Sequence, residues 1–142
     1  MMKIVIVGYG PGGAAAAVAA RMFNSEAEIK IVTDETIEAH RKPGASLALE
    51  IPYTSDLSIK DWAWRERDKK RIDVLRGTTV TQGDTKSNSL QITDKKLSSS
   101  LNYDKLILAT GGIPNIPNIP GNDLNGVFTV QTMADTSEIG KK

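Results

Sequence analysis

The residues best placed to do chemistry stand at the front of the chain. Gly8-Tyr9-Gly10-Pro11-Gly12-Gly13 has the pattern G-x-G-x-x-G. At a strand-to-helix junction, each glycine has a physical task. Gly8 allows the tight turn, Gly10 lets backbone approach a pyrophosphate with no Cβ in the way, and Gly13 lets helix and strand pack closely, helped by the small Ala17. Pro11 and Gly12 complete the turn, and the helix that follows offers unpaired N–H groups and the positive end of its dipole to phosphate oxygens. A second group belongs with the first. Asp34 lies 21 residues beyond Gly13, with Glu35 beside it, and an acid about 20 residues on is the expected acceptor for the hydroxyls of an adenosine ribose. The combination points to a dinucleotide site; a ligand-free βαβ unit is the plainer alternative.

These groups need a strand, a helix and a second strand to hold them. Lys3 to Val7 is an apolar run rich in β-branched residues, too short for a helix and stopped by glycine. Pro11 suits the first helical turn, where a missing N–H costs little, and Ala14 to Phe23 has high helix propensity. Ile29 to Glu35 forms the second strand. Thr36 to Pro52 reads as a loop with a short helix over Ala45 to Glu50; its basic residues, His40-Arg41-Lys42-Pro43-Gly44, either face an anionic ligand or are simply solvated. Ser58-Ile59-Lys60-Asp61 has the form of a capping box and opens a helix from Ile59 to about Lys70, on which Trp62 and Trp64 cannot share a face. Asp73 to Arg76 is a short strand ended by Gly77.

Thr78 to Gln82, Ser89 to Thr93 and Ser98 to Tyr103 alternate polar and apolar residues, which predicts a β-meander with one solvated face. Lys105 to Ala109 is a second buried parallel strand and runs into Thr110-Gly111-Gly112. Ile113 to Pro120 carries three prolines and must be extended loop. Val127 to Val130 forms a last strand, and a helix starts at Thr132. The whole is α/β: one Rossmann-like, three-layer domain over residues 1–142, with a central parallel sheet and an inserted antiparallel β-meander.

Composition narrows the function classes. A net charge of +1 predicts no electrostatic attraction to nucleic acid or to an anionic membrane, and Lys69-Lys70-Arg71 reads as a solvated helix end. The longest apolar stretch, Ala14 to Ala20, is far short of a membrane span, and the glycine-interrupted N-terminus does not read as a signal peptide; a cytoplasmic location follows by default. Cysteine is absent and His40 is the only histidine, which excludes disulfides, thiolate metal sites, cysteine redox relays and multi-histidine metal sites within this chain.

The chain resembles the two-dinucleotide-binding-domain flavoproteins of the pyridine nucleotide-disulfide oxidoreductase family, a group that includes NADH oxidases, ferredoxin and rubredoxin reductases and the large subunits of some nitrite reductases. The residues that carry the resemblance are Val5-Ile6-Val7 with Gly8 to Gly13, Ile31-Val32-Thr33-Asp34-Glu35, Tyr103 to Gly111, and Ile116-Pro117 to Ile119-Pro120-Gly121. The resemblance implies FAD bound along a central parallel sheet, with NAD(P)H as co-substrate of the parent enzyme. Gly8, Gly10 and Gly13 would cradle the pyrophosphate and Asp34 or Glu35 would hold the adenosine ribose. The backbone of Val80 would contact adenine, and Ala109-Thr110-Gly111 would pass close under the cofactor. Lys42-Pro43, with Arg41 as a second candidate, matches an Arg-Pro segment over the flavin region in the ferredoxin-reductase branch.

Two departures shape the expected activity. The disulfide reductases place a redox cysteine in the loop after the second strand, which here reads His40 to Ser46 without one. The ferredoxin-reductase branch usually has a lysine near the flavin at a place matched here by about Leu47. The chain also stops where relatives begin their NAD(P)H domain. It therefore reads as the FAD-binding portion of an NAD(P)H-dependent oxidoreductase, either a piece of a longer protein or a short chain that needs a partner chain. No residue is assigned a catalytic or metal-binding role. The alternative is a non-catalytic module that binds a dinucleotide or ADP. A third reading is an inert fragment that self-associates through the apolar surface left by the missing domain. His40 either tunes flavin protonation or is a loop histidine of no special role.

Overall fold

A computed structural model of the chain describes residues 1–49, 72–95 and 97–141. The expected capping box at Ser58, the helix from Ile59 to Lys70, Trp62 and Trp64, and the basic cluster at Lys69 lie outside the described residues.

The chain divides into two compact units, the first made of Met1–Ala39 and Ile59–Gly111. Within it, strand β1 (Lys3–Val7) leads into helix α1 (Pro11–Phe23) and then strand β2 (Glu28–Val32), followed by β3 (Ile72–Leu75) and β7 (Lys105–Leu108). These strands form a parallel sheet in the order β3-β2-β1-β7, with Ile6 opposite Ile31 on one side and Ile107 on the other. Strands β4 (Thr79–Asp84), β5 (Ser89–Thr93) and β6 (Ser98–Asn102) form a separate antiparallel sheet in chain order.

The period of two along each parallel strand sorts side chains to opposite faces, and each face has its own core. Ile4, Ile6, Ile29, Ile31 and Ile72 pack with Ala14 and Ala17 of α1. Val5 and Val32 pack instead with Leu90, Ile92 and Tyr103 of the meander region. Helix, parallel sheet and meander thus form three layers. Ile6, Ile29 and Ile31 are at most 1% exposed, a burial that stabilises by about 1.5–3 kcal/mol for each such side chain. Ala14 and Ala17 are the α1 side chains fully buried against the sheet.

Several elements differ from the sequence reading. β2 ends at Val32, because the Thr33 hydroxyl accepts the N–H of Glu35 at 3.3 Å and turns the backbone away, as Ser/Thr turns do. β7 is an edge strand among the described residues rather than a buried one, and Leu108 is 70% exposed. No strand forms over Val127 to Val130: the Val127 N–H is taken by the Leu124 carbonyl in a local turn, so it makes no ladder.

The second unit comprises His40–Ser58 and Gly112–Lys142. Its described part holds a 3-10 helix, Lys42–Leu49, packed against helix α2, Met133–Ile139. The 3-10 helix starts earlier than the short helix expected from Ala45, taking in Lys42 and Pro43. Proline is tolerated there because the first turn needs no N–H. His40 is 1% exposed and so is not a solvated loop histidine.

Candidate functional site

The glycine turn runs from the end of β1 into α1, and its backbone explains the residue types. Gly8 has φ +104°, a region that favours glycine, and a Cβ built on it would overlap the carbonyl of Ala109. A Cβ on Gly13 would overlap the Gly8 carbonyl oxygen. The close approach expected of Gly13 is therefore to the turn itself, and only secondarily to Ile6 of the strand, whose Cγ2 would lie 3.6 Å from that Cβ. Gly10 differs, since a Cβ there would meet nothing within 4 Å. Gly12 is nearly as open, with the Ala109 Cβ at 4.0 Å.

Gly10 caps α1 in extended conformation with no side-chain hydrogen bond, Pro11 occupies the first turn, and no acidic residue lies there. The first helical bond runs from the Ala14 N–H to the Gly10 carbonyl at 3.0 Å. The preceding N–H groups of Gly12 and Gly13 are left for partners outside the helix. The N-terminus is thus positive and lies beside an open glycine, the arrangement that binds phosphate.

Beside this turn, at the carboxyl ends of β1 and β2, is a cavity of about 190 Å³ lined by Val7, Gly8, Val32, Thr33, Asp34, Thr78, Thr79, Val80 and Thr110. In open parallel sheets this end of the strands is where ligands bind. The cavity is smaller than the ~300–1,000 Å³ typical of whole-ligand pockets, a size suited to one end of a dinucleotide. Backbone bonds fix its walls. Gly8 N–H donates to the Val32 carbonyl at 2.8 Å, Thr33 N–H to Leu75 at 3.0 Å, Thr78 N–H to Thr33 at 2.9 Å, and Ala109 N–H to Val7 at 2.8 Å.

The structure therefore brings Gly8, Asp34, Val80 and Thr110 to one cavity, with the rest of the glycine turn, Ala109 and Gly111 adjoining in sequence. Asp34 is exposed. Glu35 is not a lining residue; its N–H and carbonyl are engaged by Thr33 and Gly77. Arg41, Lys42 and Pro43 belong to the second unit, where Lys42 and Pro43 open the 3-10 helix and Arg41 is exposed.

Sequence reasoning missed Thr33, Thr78 and Thr79 as cavity residues, since nothing local marks which loop residues face inward. It also missed a cluster around Tyr9. The Tyr9 side chain turns into the core and is 7% exposed, the guanidinium carbon of Arg76 lies 5.9 Å from its ring centroid, and Arg76 pairs with Glu38 at 2.6 Å. Burial raises the Tyr9 pKa above 10.0, the charge of Glu38 adds to this, and Arg76 opposes both. The one bulky aromatic inside a glycine turn was the available signal.

Comparison with known proteins places this geometry. A family model described as pyridine nucleotide-disulphide oxidoreductase matches residues 2–142. An NADH oxidase of Methanocaldococcus jannaschii is 38% identical over 99% of this chain and 32% of its own length. A ferredoxin–NAD(+) reductase component of a biphenyl dioxygenase system from Paraburkholderia xenovorans is 32% identical over 96% of this chain and 32% of its own. Among solved structures, an NAD-dependent persulfide reductase from A. fulgidus superposes with a TM-score of 0.83 at 26% identity, covering 99% of this chain and 27% of that one. The chain spans about a third of the length of these curated relatives.

Proposed function

Because the chain belongs to the pyridine nucleotide-disulphide oxidoreductase family, we propose that it supplies the FAD-binding portion of an NAD(P)H-dependent flavin oxidoreductase. The observation that supports this reading best is the cavity that joins Gly8, at the start of the glycine turn, to Asp34, Val80 and Thr110 at the carboxyl ends of parallel strands. The open space over Gly10 leaves room for a pyrophosphate to approach the turn.

In this reading, the Gly12 and Gly13 N–H groups and the dipole of α1 hold the pyrophosphate. Asp34 accepts hydrogen bonds from the ribose hydroxyls, the Val80 backbone borders adenine, and Ala109-Thr110-Gly111 runs under the cofactor. The assignment of Arg41, Lys42 and Pro43 to the flavin end rests on the family resemblance alone. FAD, when bound, would supply a two-electron acceptor for hydride from NAD(P)H. This chain's own residues bind and orient; none is assigned an acid, base or nucleophile role. Without cysteine, the chain cannot itself carry a redox disulfide. The nicotinamide site and the electron acceptor belong to further sequence or to a partner chain, a small redox protein being one class of acceptor.

Calorimetric titration with ADP and with FAD tests the assignment. Both are expected to bind, and Asp34→Ala is expected to weaken each about tenfold, the loss of hydrogen bonds to a charged group. Unchanged affinity in Asp34→Ala would remove the ribose assignment. Binding of ADP without FAD would favour the non-catalytic adenosine-nucleotide module.

A further inference from the structure

Resting on the dinucleotide reading above, we propose that Tyr9, Arg76 and Glu38 form a clamp that presets the glycine turn for phosphate, with Tyr9 and Arg76 as positioning residues. Four of the six residues from Gly8 to Gly13 are glycine, and glycine loses more conformational freedom on ordering than any other residue. A turn of this composition binds phosphates well only if that loss is met before the ligand arrives. Pro11 restricts one position. The only other side chain in the turn is Tyr9, and it does not face the cavity. It is buried in the helix-side core with Ala39, Ala14 and Ala17, and so anchors the turn from beneath.

The anchor has a second point of hold. Arg76 lies over the Tyr9 ring at 5.9 Å and is itself held by Glu38 at 2.6 Å, so one aromatic ties together the turn after β1, the loop after β2 and the loop after β3. Arg76 also sits where the adenosine wall begins. Its carbonyl accepts from the Thr78 hydroxyl at 3.3 Å, Gly77 N–H bonds to Glu35 at 3.2 Å, and Thr78 N–H bonds to Thr33 at 2.9 Å. The adenosine wall is held along its length by backbone bonds, whereas the phosphate turn has them at its two ends, Gly8 to Val32 and Ala14 to Gly10, with the buried Tyr9 side chain as the anchor between them. Loosening the anchor should cost phosphate binding and leave adenosine binding intact. A merely structural role for Tyr9 would not divide the ligand in this way.

The test compares ADP, followed by calorimetry, with adenosine, followed by nuclear magnetic resonance titration, in the wild-type protein and in Tyr9→Ala, Tyr9→Phe and Arg76→Gln. Tyr9→Ala is expected to weaken ADP while leaving adenosine affinity unchanged, and Tyr9→Phe, which keeps the buried ring but loses the hydroxyl's hydrogen bond with Arg76, to restore part of the loss. Arg76→Gln, a change at a half-exposed side chain that should leave the fold intact, is expected to weaken ADP by about three- to fivefold, the scale of one cation–π contact. Wild-type ADP affinity in Arg76→Gln, or equal losses for ADP and adenosine in any folded variant, would overturn the clamp. A wild-type protein that binds neither ADP nor adenosine would instead overturn the dinucleotide reading.

Discussion

At the scale of single residues, the glycines of the turn separate into two kinds. Gly8 and Gly13 are required by the fold, since a Cβ at either meets backbone. Gly10 is not, because its φ of −82° suits any residue and nothing lies near. Gly8→Ala is expected to destabilise by about 1–3 kcal/mol from the left-handed backbone alone, and by more through the overlap with the Ala109 carbonyl, measured by thermal or denaturant unfolding. Gly10→Ala is expected to melt like the wild type while binding ADP more weakly. Gly10→Ala with undiminished ADP affinity would contradict phosphate approach at this turn. The glycine types and the acid at position 34 were legible in the sequence because each follows from a local backbone or charge requirement. Thr33, Thr78 and the Tyr9–Arg76–Glu38 cluster were not, because their partners come from distant loops and leave no spacing to read.

At the scale of elements, α1 and the strands other than the one expected over Val127 to Val130 followed the sequence closely, since each has its own apolar period. The errors fall where neighbours decide. β2 stops at a Thr33 hydroxyl bond, and the apolar run at β7 reads as buried although it lies at an edge. Helix α1 meets the sheet through Ala17, which is 0% exposed. Ala17→Leu is expected to cost about 1–3 kcal/mol by overpacking, visible in equilibrium unfolding.

Helix α2 has a complete capping box. Thr132 N–H donates to Asp135 Oδ2 at 2.7 Å and Asp135 N–H donates to Thr132 Oγ1 at 3.2 Å, with Gln131 N–H on the same carboxylate at 2.9 Å. The Thr132 backbone bond chiefly, and the Gln131 bond with it, hold the Asp135 carboxyl below its ordinary 3.8, against a smaller opposing effect of burial. A depressed acid pKa stabilises the folded form above the unfolded value and loses that contribution as pH falls through the folded one. Amide exchange in α2 is therefore expected to show opening below pH 3.8 in the wild type and at neutral pH in Asp135→Ala, which leaves the Thr132 and Gln131 N–H groups without their carboxylate acceptor.

At the scale of the molecule, a three-layer α/β unit with a glycine-rich strand-to-helix turn belongs to the pyridine nucleotide-disulphide oxidoreductase family, and the chain spans about a third of the length of its curated relatives. Among the described residues, no helix is long and apolar enough to cross a membrane. The central claim is that this portion holds FAD, and the absorbance spectrum of the purified protein, with chromatography of the nucleotide released on denaturation, tests it most directly. A flavin band is expected, either as purified or after addition of FAD and removal of the excess, with FAD as the released species. A colourless protein that takes up ADP but no added FAD would contradict the flavin assignment.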